Sequence, residues 1–306
     1  MQEITTDGVF ERFKKIAEDF IDIIDNQKLY EQGGQHYLML ANKIIRNCVC
    51  SQFLSAHGQF GDSKILIRSA FESFVLMGYL AKYPEKIKEY EADNEIANFR
   101  YLFLFVKQGK ESVDNLYYHY INTLSGEARK KLKVKGNIDA TGHNHFNFMR
   151  KVQNAFDETR QVKPLAQKTL THLLKLKEDN FLNFSQIKDF SMVLYDMNSQ
   201  IAHGTFGAIS NEYNGVSPNT EAHEKLIDCM RQAILIITQI LNIMSFLTKR
   251  EIKLPFILSQ AVLELLQYMG FDLSGYEREL EPLQKITQDY SSFLYLPVQN
   301  PYRLNV

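Results

Sequence analysis

Apolar residues recur at helical spacing through nearly the whole chain, and no stretch alternates apolar and polar residues long enough to read as a strand. The first predicted helix runs from about Thr6 to Asp25, with Phe10, Phe13, Ile16, Phe20 and Ile23 or Ile24 on one face. Gly33 and Gly34 mark a turn. A second helix follows from about Gln35 to Ala56 and is ended by Gly58 and Gly61. Asp62 or Ser63 is the expected cap of a third helix reaching about Lys82, and Pro84 opens a fourth at the first-turn position that proline tolerates. These four predict an antiparallel bundle.

From Gly109 to about Lys135 the pattern is helical but more charged, finishing in ARKKLKVKG, and Asn137 to Asn147 (NIDATGHNHFN) has loop composition. This region reads as an insertion or a mobile connection. Helical spacing resumes at about Met149, breaks near Pro164 and returns from about Ser185 to His203, where Gly204 suits the left-handed position that closes a helix. A polar loop from Thr205 to Thr220 precedes a long hydrophobic helix of about Glu221 to Lys249. Pro255 opens a shorter helix to about Met269, and the tail YLPVQNPYRLNV reads as irregular. The expected fold is all-α, an antiparallel helical bundle forming one domain over 1–306, with its core at about 35–250 and a helical extension over 251–306.

Composition narrows the class further. Gly (15) and Pro (7) are scarce for a chain of 306 residues, which favours long uninterrupted elements. Lys plus Arg (35) nearly balances Asp plus Glu (36), so no global field draws the protein to DNA or to an anionic membrane. Cys48, Cys50 and Cys229 are too few for a disulfide framework, lack zinc-ligand spacing, and read as small buried hydrophobes. The N-terminal MQEITTDGVFERFKKIAEDF carries acids and bases where a signal peptide needs an apolar stretch, so a cytoplasmic location is expected. The run AILIITQILNIMSFL, Ala233 to Leu247, falls short of the roughly 20 apolar residues of a membrane span and reads as a core helix.

One polar stripe stands out. In DFSMVLYDMNSQIAHG, Tyr195, Ser199 and His203 are spaced by four and Asp196 precedes His203 by seven, which sets all four on one side of a helix. These residues either satisfy a helix–helix contact, with His203 meeting the helix dipole, or hold a histidine of near-neutral pKa as general acid, general base or phosphate ligand. A second pair, Arg68 and Glu72 in ILIRSAFESFVLMGYL, lies in a strongly apolar segment where an unpaired charge is costly. The two either form a structural ion pair or present a guanidinium to phosphate. His143 and His145 form an HxH without further ligands at metal-site spacing, so no metal or cofactor is expected. The basic run Arg129, Lys130, Lys131, Lys133 and Lys135 reads as a solvated face at a helix end or as a contact for RNA phosphates. No phosphate-binding GxxxxGK[ST], no GxGxxG after a strand, no GxSxG elbow and no HExxH is present.

The RSAFE segment, the GYLAKYPE that follows it, and LYDMNSQIAHG before a long hydrophobic helix together resemble a prokaryotic helical family of unknown function that is itself similar to the HEPN superfamily. The resemblance covers about Ser63 to Leu247. It implies a HEPN-like core and a metal-independent ribonuclease effector of a bacterial defence or toxin–antitoxin system. His203 becomes the catalytic histidine. HEPN ribonucleases carry an arginine a few residues before that histidine, whereas this chain has Asp196, Met197 and Asn198 there. Asn198 then stands for the motif's polar follower, Arg68 for the missing cation, and Glu72, Tyr195 and Ser199 complete the site. The partners implied are RNA, a partner protein or antitoxin, and a second copy in a homodimer, with neither DNA nor membrane. The alternative is a non-catalytic helical module that binds a protein or small ligand.

Overall fold

The computed structural model of the chain describes residues 6–26, 34–134, 145–167, 198–202, 219–248 and 264–265. The described residues are all-α: α1 (Thr6–Asn26), α2 (Gln35–Ala56), α3 (Phe60–Lys82), α4 (Ile87–Lys107), α5 (Val113–Asn122), α6 (Gly126–Lys131), α7 (His145–Thr159), α8 (Asn198–Ala202) and α9 (Asn219–Thr248), with no strand among them. Chain contacts divide the protein into two compact units, Met1–Ala81 with Leu173–Val306, and Lys82–His172.

In the first unit, α1 and α9 both pack on α2. Through its middle α9 buries Ala233 to Ile237 without interruption, so this stretch is apolar around its whole circumference, the pattern of a helix enclosed by others. No helix among the described residues is long and apolar enough to cross a membrane. α2 and α3 are antiparallel: Tyr37 OH donates to the Leu80 carbonyl (2.8 Å), Asn47 Nδ2 to Ser69 Oγ (3.1 Å), and Ser51 Oγ meets Ser63 Oγ (2.7 Å). The sequence suggested Asp62 or Ser63 as a helix cap, but α3 begins at Phe60, so both lie inside the helix, and the Ser63 hydroxyl is a buried hub that also accepts from Ser55 Oγ at 2.7 Å. A hydroxyl one turn inside a helix gains more from two buried partners than from an already formed first turn.

Gly58 ends α2 at φ 74°, with Gly58 N donating to Ser55 O (3.0 Å) and Gln59 N to Leu54 O (2.8 Å). That is the paired closure of a Schellman turn, which requires the left-handed backbone glycine adopts freely. Lys133 closes α6 in the same way at φ 52°, through Lys133 N to Lys130 O (3.2 Å) and Val134 N to Arg129 O (2.9 Å). A lysine in that conformation is uncommon and costs about 1 kcal/mol or more.

The second unit is built on α4, against which α5, α6 and α7 pack. The fourth helix of the sequence reading therefore joins this unit, and Pro84 opens a short 3-10 turn, Pro84–Lys86, that runs into it. The charged stretch after Gly109 forms two helices in place of one. Ser112 caps α5 by accepting from Asn115 N, and Ser125 caps α6 by accepting from Ala128 N. Caps of this kind start a helix afresh by satisfying backbone donors that have no helical acceptor. Leu116, Tyr120, Leu124, Ala128 and Leu132 nevertheless continue one buried stripe across the break, joined by Phe99 and Phe103 of α4 and Phe148, Val152 and Phe156 of α7. α7 starts at His145, four residues before the expected Met149, because Phe148 already belongs to that core.

Lys131 locks α6 to α4. Its ammonium donates to Asp93 Oδ1 (2.6 Å), to the Glu89 carbonyl (3.2 Å) and lies 3.4 Å from Glu89 Oε1, with all three side chains largely buried. Asp93 also accepts from the Leu165 backbone N–H, and Glu95 from Ser125 N at 2.7 Å. The basic run is thus divided: Lys131 is buried in ion pairs, Arg129 donates to the Leu124 carbonyl (3.1 Å), and Lys130 and Lys133 stay exposed, Lys133 pairing with Glu158 (2.9 Å). Successive residues of one helix turn point in different directions, so Lys131 meets α4 while Lys130 faces solvent.

His119 on α5 gives the second unit a pH response. Its Nε2 is buried with no hydrogen-bond partner among the described residues, and desolvation holds its pKa below the usual histidine value, with the Glu95 carboxylate pulling the other way. A depressed folded pKa means the unfolded chain binds the proton first. The neutral-His119 contribution is therefore complete above about pH 6.5 and is lost as pH falls from there toward the lower folded value. Urea midpoints measured between pH 7.5 and pH 5.5 should fall less in His119→Leu than in the parent; equal slopes would show that the imidazole is solvated.

Candidate functional site

α3 carries the first candidate pair as a formed contact. Arg68 Nε donates to Glu72 Oε1 at 3.0 Å, one helical turn apart, with Arg68 mostly buried and Glu72 half-exposed. Ile67, Ala70 and Phe71 around it are fully buried, so the pair lies at the edge of the apolar core. Partial desolvation strengthens such a pair relative to a surface one and fixes the guanidinium in place.

The LYDMNSQIAHG segment enters the described structure at α8. Asn198 is buried (2% exposed) and its Nδ2 donates to Gln232 Oε1 of α9 (3.3 Å), while Gln232 Nε2 donates to Asp228 Oδ2 (3.0 Å). A polar chain thus crosses from α8 to α9 just before the apolar middle of that helix, and Ile201, also buried, lies on the same side of α8 as Asn198. Arg231 lies on the same face of α9 as Asp228 and Gln232 by helical spacing. Burial holds its guanidinium below its usual pKa, and the Asp228 carboxylate opposes that shift. Ser199 lies on α8, whereas Tyr195, Asp196 and His203 fall outside the described residues, as do His143, the Thr205–Pro218 part of the polar loop and all but residues 264–265 of the helix expected after Pro255. Of the six candidate residues, the described geometry joins Arg68 with Glu72 and ties Asn198 to Gln232.

Sequence reasoning missed a second buried polar group. Ser51, Ser55 and Ser63 share hydroxyl contacts, and Gln52 Nε2 donates to the Cys229 backbone carbonyl of α9 at 3.1 Å. Burial pushes the Cys229 thiol up, partly offset by hydrogen bonds with Ser55 and Ser63, so it is an inert thiol. Cys48 is likewise buried and pushed far up, but Cys50 is exposed, contrary to the reading of all three as buried. Gln52 Oε1 is buried with no partner among the described residues. The available sequence signal was the i, i+4 recurrence of small hydroxyls in an apolar helix, which marks close helix approach as readily as chemistry. Among the described residues no group of three or more His, Cys, Asp or Glu side chains could hold a metal ion.

These features define an all-α protein of two compact units whose long central helix is crossed by buried polar contacts. A family model described as a family of unknown function (DUF5677) matches residues 36–222, more than half of the chain. The chain belongs to that family. No curated protein and no solved structure matches it.

Proposed function

We propose that this protein is a HEPN-like, metal-independent endoribonuclease, a cytoplasmic effector of a bacterial defence or toxin–antitoxin system that works as a homodimer with a cognate partner protein. The observation that carries the reading is the buried contact from Asn198 to Gln232, which anchors the LYDMNSQIAHG segment to a polar layer of α9 that includes Asp228. A buried amide pair costs desolvation that an apolar pair does not, and it fixes the orientation of the helix that carries it. In this reading Asn198 positions the segment. His203 takes the proton of the ribose 2′-hydroxyl or protonates the leaving oxygen, flanked by Tyr195 and Ser199. Arg68, held by Glu72, neutralises the phosphate.

The test is cleavage of transfer and messenger RNA by the full chain in EDTA, comparing the parent with His203→Ala and Arg68→Ala at matched circular dichroism. Loss of the general acid–base His203 is expected to cost about 10²–10⁴ in rate, and loss of the Arg68 charge about 10²–10³. A folded parent that cleaves none of these RNAs overturns the proposal. The second reading, a non-catalytic interaction module, is favoured by one observation: Tyr101 (61%) and Phe105 (48%) on α4 and Tyr118 (63%) on α5 are large aromatic side chains left exposed.

A further inference from the structure

The second unit contains a cavity of about 480 Å³ between α7, α5 and the turn that ends α6. That volume lies within the range of small-molecule sites, about 300–1,000 Å³. Its apolar lining is Tyr120, Leu132, Val134 and Ala155, and its charged lining is Lys133, Lys151, Asp157 and Glu158. On α7, Lys151, Asn154, Ala155 and Glu158 recur at i, i+3, i+4 and i+7, so one whole face of the helix is given to the cavity. The adjoining side, Phe148, Val152 and Phe156, belongs to the core, which Ala155 also borders.

Two features set this cavity apart from an incidental gap. Lys133 holds a left-handed backbone that a glycine would adopt without strain, and it uses that position to bridge the cavity lining through its 2.9 Å pair with Glu158. Backbone strain of this kind concentrates where a side chain is held for a ligand. Finally, the charges are two positive and two negative around an apolar floor.

We propose that this cavity binds a small zwitterion with an apolar side group, of the class of a free apolar α-amino acid. Its carboxylate meets Lys151, its ammonium meets Asp157 and Glu158, and its apolar group rests on Leu132, Val134 and Ala155. The site lies wholly within Lys82–His172, so it stands independently of the ribonuclease reading, which rests on residues of the other unit.

Calorimetric titration of the full chain with L-phenylalanine and L-leucine tests it, with phenethylamine and 3-phenylpropionate as analogues that each keep a single charge. The expected dissociation constant is about 10 µM to 1 mM for a ligand of this size. Each single-charge analogue should bind at least about tenfold more weakly, the loss expected when one charge-assisted contact is removed. Ala155→Trp, which fills the cavity and leaves every charge in place, should abolish binding, and Lys151→Gln should weaken the zwitterion and 3-phenylpropionate but not phenethylamine. No heat with either amino acid at 10 mM, binding of the analogues as tight as that of the amino acid, or unchanged binding in a folded Ala155→Trp variant would each overturn the proposal.

Discussion

Replacing Lys131 with methionine is expected to destabilise the Lys82–His172 unit by about 3–5 kcal/mol, because it strands the Asp93 carboxylate without its cation and leaves Glu89 only the more exposed Lys86, at 3.2 Å. Lys131 is 10% exposed, Asp93 12% and Glu89 16%, so water cannot replace the lost ammonium as it would at the surface. For a unit of this size the loss corresponds to a fall in melting temperature on the order of 15–30 °C. The Lys133–Glu158 pair, with Lys133 65% exposed, serves as the contrast: Lys133→Met should change stability by less than about 1 kcal/mol. Adding Asp93→Asn to Lys131→Met should recover part of the loss, since the asparagine oxygen still accepts from the Leu165 N–H and carries no charge. Thermal melts of the full chain followed by circular dichroism measure all three, and a Lys131→Met melt within 2 °C of the parent would refute the buried ion cluster.

Phe103→Ala is expected to cost a comparable 3–5 kcal/mol, by a different route. The ring is 1% exposed, stacks on Phe156 of α7 with centroids 4.3 Å apart, and has the Lys107 ammonium 5.3 Å from its centroid. Truncation removes apolar contact and leaves a cavity at the junction of α4 and α7 that rigid helices close only in part. In the double variant with Phe156→Ala the losses should fall short of additivity by about 0.5–1.5 kcal/mol, the coupling of a stacked pair. Strict additivity would mean that the two rings do not interact in solution.

Local spacing made part of the candidate site legible. Arg68 and Glu72 are one turn apart on one helix, so their pairing needs no knowledge of any other element, and the structure forms it at 3.0 Å. The same holds for Gly58, whose left-handed closure of α2 is set by the backbone freedom of one residue. Ser63 shows the limit: its residue type suited a cap, but its partners lie on α2, eight and twelve positions earlier, and only the pairing of the two helices brings them within 2.7 Å. Gln52 and Cys229 are 177 positions apart and meet through a single side-chain bond, for which neither segment carries a local signal.

What the sequence by itself determined is the all-α class, most of the described helix positions and their buried faces, because the 3.6-residue period and the scarcity of glycine and proline act within each segment. What only the tertiary structure decided is the fate of the polar residues. Lys131 reads as one more member of a basic run, yet it is a buried ion-pair donor; Asn198 reads as a motif position, yet it is a buried contact to α9. Periodicity sorts residues by face, but whether a polar group on that face meets water or a partner depends on which helix lies opposite, and that is fixed only when long-range packing closes.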